Sequence, residues 1–166
     1  MQSADVLHSN ASTETHALVQ RWLPRALWLC TLAQVLAGLA LAWMNQLSFA
    51  RVFAEYMAAS TLAALTFSSG GLLILTRRAG QPIGWLMCAI GLLAGLGVWS
   101  GQYARYAYVT QPGALPLREW AAWLYMSVSF GPFIGLTLIV LPLLFPTGHL
   151  PSSRWQPFAW LAGLAI

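Results

Sequence analysis

The chain has no lysine, and charged residues of any kind make up only 7% of its 166 positions. An ordinary soluble domain carries about a quarter charged residues. Hydrophobic residues reach 58%, so too few polar side chains remain to cover a water-facing globule of this size. Lipid removes that problem. The two cysteines, Cys30 and Cys88, form no CxxC pair. That favours two small reduced thiols buried in apolar segments over a disulfide or a metal site. The three histidines, His8, His16 and His149, are dispersed, and no HExxH motif occurs. No metal, cofactor-binding or catalytic residues are therefore assigned. Within the apolar segments no Asp, Glu, Lys, Arg or His falls at mid-depth. Proton pumps, ion-coupled carriers and voltage sensors rely on such groups.

What is present comes in long apolar blocks rather than alternating residues, which argues for helices over a β-barrel. The expected architecture is all-α: a polytopic transmembrane helix bundle with four full spans and the start of a fifth. A polar cytoplasmic tail, 1–25, is expected to be loosely ordered over its first twenty residues. The transmembrane region is 26–166, with spans at 26–44, 56–76, 83–103 and 120–145 and a partial span at 157–166. The first block could also be a signal sequence, because Ala40-Leu41-Ala42 has the small-x-small form of a cleavage site. Its length and long leading tail favour an uncleaved anchor.

Pro82 suits the first turn of the third helix, so 79–81 is a tight link between antiparallel neighbours. Residues 104–119 form a loop carrying Pro112-Gly113 and Pro116. Pro132 and Pro142 kink the fourth span. Ten helical residues at 157–166 reach about 15 Å, half the ~30 Å hydrocarbon core. The chain is therefore expected to be the front part of a longer one.

The eight arginines cluster at block ends, which fits membrane orientation and not a nucleic-acid stripe. With the N-terminus in the cytoplasm, Arg21, Arg25, Arg77, Arg78 and Arg154 lie inside, and Arg51, Arg105 and Arg118 outside. This is the favoured topology. Trp22, Trp28, Trp85, Trp155 and Trp160 then fall near the inner face, and Trp43, Trp99, Trp120 and Trp123 near the outer one. Indole rings favour that headgroup layer. An aromatic cage from Trp120, Trp123 and Tyr125 is a lesser alternative to simple anchoring.

Gln34, deep in the first span, is expected to hydrogen-bond to a neighbouring helix. Small residues recur at helical spacing: Gly84, Cys88, Gly91 and Gly95; Gly97 and Gly101; Ser60, Ala64 and Ser68; Gly131 and Gly135. Such stripes serve packing within the chain or a homodimer seam, and spacing alone does not decide between them.

Three loops carry a resemblance. Arg77-Arg78-Ala79-Gly80-Gln81-Pro82-Ile83-Gly84-Trp85-Leu86 is followed by Tyr103-Ala104-Arg105-Tyr106 with Pro112-Gly113-Ala114-Leu115-Pro116. Then comes Leu144-Phe145-Pro146-Thr147-Gly148-His149-Leu150-Pro151-Ser152-Ser153-Arg154-Trp155. Together, in this order and spacing, they resemble the N-terminal membrane regions of bacterial sensor histidine kinases. The chain differs from the usual pattern at Gln81, Thr147, His149 and Gln156.

The resemblance implies a sensory or anchoring module of a two-component signal-transduction system in the bacterial cytoplasmic membrane. It implies no catalysis by this chain, which carries neither a phosphoacceptor helix nor an ATP-binding fold. The alternative is a small subunit or fragment of a transporter, because broken helices often line substrate paths.

Overall fold

The computed structural model describes residues 2–48, 50–51, 57–78, 80–130 and 132–144. These residues form helices and short turns with no strand among them. Four stretches are long and apolar enough to cross a membrane: Trp22–Met44, Met57–Arg77, Pro82–Thr110 and Arg118–Leu144. The predicted all-α, four-span class is therefore the observed one. The fifth apolar run, 157–166, and the loop at 146–156 lie outside the described residues.

Helix α1, Gln2–Met44, is longer than its span. The tail expected to be loosely ordered is helical from Gln2, which corrects that reading. No Gly or Pro occurs before Pro24. Once the apolar part is helical, each added residue gains a hydrogen bond without a new nucleation cost. Pro24 stands inside the helix, fully buried.

Helix α2, Met57–Arg77, turns into α3, Pro82–Arg105, through a short link. Gln81 donates its N–H to the Arg78 carbonyl at 3.1 Å, and Gly84 donates to the Gln81 carbonyl at 3.1 Å. Gln81 is extended, and Pro82 takes the first helical turn as expected, where a missing N–H costs nothing.

The third span does not stop near residue 103. It continues as a π-helical segment, Tyr106–Thr110, closed by Gln111 N–H on the Tyr106 carbonyl at 2.9 Å. Residues 104–110 therefore belong to the helix and not to the predicted loop. No Gly or Pro interrupts the chain between Gly101 and Pro112. The turn proper carries Gly113 and Leu117 at positive φ, and the Tyr103 hydroxyl fastens it by donating to the Pro116 carbonyl at 2.7 Å.

The fourth span is described as α4 (Arg118–Phe130), α5 (Pro132–Gly135), a π-helical step (Leu136–Val140) and α6 (Leu141–Leu144), with residue 131 outside the described residues. Leu141 N–H reaches the Leu136 carbonyl, one residue further back than in an α-helix. Of the prolines expected to disturb this span, Pro142 follows the π-helical step closely, because it cannot donate to the preceding turn.

The hub of the bundle is α3, which packs against α1, α2 and α4, whereas α4 has its main contacts with α3 alone. Over half of the third span's apolar window is buried inside the protein, 56%, against 22% for the first two and 13% for the fourth. Small residues explain the difference. A Cβ on Gly91 would lie 2.6 Å from the Ser68 nitrogen, and one on Gly71 2.7 Å from the Cys88 nitrogen. The α2 and α3 backbones therefore meet directly. Gly95 admits the Thr31 and Gln34 side chains of α1, and Gly101 admits the Tyr125 ring of α4. The stripe Gly84, Cys88, Gly91 and Gly95 is thus occupied within the chain.

Two sequence expectations need correction. Cys88 is buried against α2, but Cys30 is exposed on the outer surface of α1. In lipid an exposed apolar position carries no penalty, so burial is not required there. Gln34 has no partner for Oε1, although that atom is buried. Its neighbour on α3 is Gly95, which offers no polar side chain, and the nearby Thr31 hydroxyl already donates to the Leu27 carbonyl at 3.0 Å.

Candidate functional site

Because α4 packs mainly on α3, a space remains between α4 and α2. It is a groove of about 1080 Å³ with α3 as its floor, at the upper end of ordinary ligand pockets of about 300–1,000 Å³. Ala59, Ser60 and Ala63 form the α2 wall, and Tyr125, Phe133 and Ile134 form the opposite wall. The small floor residues Ala94, Gly97 and Gly101 give it depth. Most of its lining is apolar.

The polar groups gather at one end. Gln102, Arg105 and Tyr108 of the third span line it there, and the Arg118 guanidinium stacks on the Tyr108 ring at 5.3 Å. Among the described residues no acid lines the groove.

A hydrogen-bonded chain fixes Gln102. The Thr110 hydroxyl donates to Asn45 Oδ1. Asn45 Nδ2 donates to Gln102 Oε1 at 3.0 Å and to the Gln102 carbonyl at 3.1 Å. That carbonyl lies just before the π-helical segment, where the helical register shifts and backbone acceptors are re-used.

Asn45 therefore ties the end of α1 to the π-helical end of the third span. Replacing Asn45 with leucine leaves the Gln102 carbonyl and the Thr110 hydroxyl without this partner. We expect a loss of about 1–2 kcal/mol, measured by SDS-induced unfolding in lipid–detergent micelles. No measurable change would show the network to be dispensable.

Sequence reasoning missed this site. Asn45 is 57 residues from Gln102 and 65 from Thr110 in the chain, and only the helix packing brings it to them. Arg105 was assigned to the outer membrane edge without a groove beside it. The supposed aromatic cage is not formed. Trp120 and Trp123 meet edge-to-face at 5.9 Å and are both exposed, whereas Tyr125 turns toward Gly101. Positions two apart on a helix do not share a face.

The remaining deep hydroxyls serve their own helices. Ser68 donates to the Leu65 carbonyl at 3.3 Å, and Ser100 to the Leu96 carbonyl at 2.7 Å. Neither is placed beside an acid or a histidine among the described residues. Among the described residues lining the groove there is no acid, histidine or cysteine.

Comparison of the chain with protein-family models, with curated proteins and with solved structures finds no match.

Proposed function

We propose that this multi-pass membrane protein is the sensory and anchoring region of a bacterial two-component histidine kinase. It lies in the cytoplasmic membrane with its N-terminus inside. The observation that carries the proposal is the lateral groove, whose outer wall is the fourth span, which carries a π-helical step and packs mainly on α3. The three-loop resemblance supplies the kinase context.

A molecule in the groove touches α2, α3 and the α4–α5 wall together. If it fits one spacing of that wall better than another, it shifts the balance between the two packings by its difference in affinity. The α5 segment and the π-helical step connect that wall to Leu144, the last described residue of the span. Movement of the wall would reach the inner side of the membrane by that route. The chain itself does no chemistry in this reading.

The π-helical step and the prolines of the fourth span also favour a transporter subunit, since broken helices commonly line substrate paths. Against it stands the absence of charge at mid-depth. Sequencing the gene beyond the Ile166 codon separates the two. The kinase reading expects an open frame encoding a helix with a phosphoacceptor histidine and an ATP-binding fold. A stop codon followed by a gene for a transport ATPase would overturn it.

A further inference from the structure

We infer that Asn45 is a clamp that holds the end of the third span in its π-helical register, and that releasing it returns Tyr106–Thr110 to an α-helix and re-sets the 111–117 turn. The inference concerns conformation and stands whether or not the chain is a kinase sensor.

The clamp is preset by the way α1 ends. Gln46 N–H donates to the Trp43 carbonyl at 3.0 Å and Leu47 N–H to the Ala42 carbonyl at 3.2 Å, with Gln46 at φ 51°. This pair of bonds around a left-handed residue closes a helix, and Asn45 is the last residue before that turn. Leu47 packs with Ala42, Met57 and Val98, which pins the closure against α2 and α3. Asn45 therefore meets the third span from a fixed position.

Its hydrogen bonds fit the π register. They bridge Gln102 and Thr110, eight positions apart. At 3.6 residues per turn, eight residues overshoot two turns by about 80°, so in an α-helix Thr110 swings away from the side of Gln102. The wider turn of Tyr106–Thr110 cancels much of that rotation. No Gly or Pro lies in this segment to impose the wider turn, so a contact from outside the helix has to favour it.

The backbone offers nearly the same bonds in both registers. Pro112 has no N–H, so Gln111 is the last donor in either. Its N–H reaches the Tyr106 carbonyl in the π form, and an α-helix would hand it to the Ala107 carbonyl instead. In the π form the Ala107 carbonyl accepts the Gly113 N–H at 3.2 Å. The α register therefore takes from Gly113 the acceptor that seats the turn. Because the backbone gains little either way, a few side-chain bonds suffice to choose.

The test reads two amides of the full chain in lipid–detergent micelles by hydrogen exchange. Pro112-Gly113 and Thr110-Gln111 are the sole Pro-Gly and Thr-Gln pairs in the sequence. Carbonyl-carbon labelling of the first residue type with nitrogen labelling of the second therefore gives one NMR signal for each amide.

In the wild type both amides should exchange slowly. Asn45→Leu should speed exchange at Gly113 about tenfold and leave Gln111 protected, because the α register re-uses that donor. Thr110→Val removes only the hydroxyl and should give the same pattern in weaker form, so it serves as the test if Asn45→Leu does not fold. Faster exchange at both amides overturns the inference, since Asn45 would then only keep the helix end from fraying. Unchanged exchange at Gly113, loss confined to Gln111, or a Gly113 amide already unprotected in the wild type overturns it as well.

Discussion

Replacing Gly71 or Gly91 with leucine will separate α2 from α3 and destabilise the bundle by more than about 3 kcal/mol. A Cβ on Gly91 would stand 2.6 Å from the Ser68 nitrogen, 2.7 Å from the Ser68 Cβ and 2.9 Å from the Ala64 carbonyl oxygen. One on Gly71 would stand 2.7 Å from the Cys88 nitrogen, the Cys88 Sγ and the Gly84 carbonyl oxygen. The opposing atoms are largely backbone, so they cannot retreat unless a whole helix moves. Overpacking a tight interior typically costs about 1–3 kcal/mol, and leucine adds three further carbons at a contact already below van der Waals distance.

The higher helix propensity of leucine returns only about 0.8–1 kcal/mol. Gly80 provides the control. A Cβ there meets nothing within 4 Å, and Gly80→Ala should leave stability within about 0.5 kcal/mol of wild type. Unfolding of the reconstituted chain by SDS, followed by tryptophan fluorescence, measures all three variants. Leucine at Gly71 behaving like alanine at Gly80 would mean that the two helices do not cross where described.

Replacing Gln34 with methionine should stabilise the protein, by about 1–2 kcal/mol. This sign is unusual for a buried substitution. Gln34 Oε1 is buried with no hydrogen-bond partner, facing Gly95 across the α1–α3 contact. An amide oxygen removed from water without a partner is a net cost. Methionine keeps nearly the same length and shape without the polar atoms, and its flexibility lets it refit the space. Gln34→Glu should act in the opposite direction, because a carboxylate at that depth is far harder to accommodate. The same SDS titration reads both variants. A clear loss of stability in the methionine variant would show that the amide has a partner in the membrane, and would make Gln34 part of a polar site.

Much of this architecture was legible in the chain. The low charge content and the lengths of the apolar blocks are properties of consecutive residues, and the bilayer sets the length they must match. The Arg77 to Pro82 link was equally readable, since proline marks the start of a helix by its own chemistry. The tail failed as a prediction because polar composition does not stop a helix from extending out of an apolar span. The end of the third span was missed for a related reason: turn signals at Pro112 and Gly113 mark where a helix must have stopped, and not where it first can.

The groove was not legible, although its parts were visible. Gly97, Gly101 and Arg105 are spaced along one helix, and their spacing already made a smooth face beside a charge. Whether such a face meets another helix or stays open depends on where α4 lies, and that is a long-range matter. The same holds for Asn45, Gln102 and Thr110, which are ordinary polar residues near span ends until helix packing places them within hydrogen-bond distance.

The amino-acid sequence alone determined that the chain suits lipid, that its apolar segments are helices, and that α2 turns into α3 at Pro82. Hydrophobicity and helix-breaking chemistry are local, and the membrane reads them locally. The tertiary structure decided that α3 stands at the centre, that its glycines face α1, α2 and α4, and that a groove remains between α4 and α2. In lipid the greasy surfaces of helices are nearly interchangeable, so close backbone approach and a few polar contacts choose the neighbours. Those choices exist only when all the helices are present together.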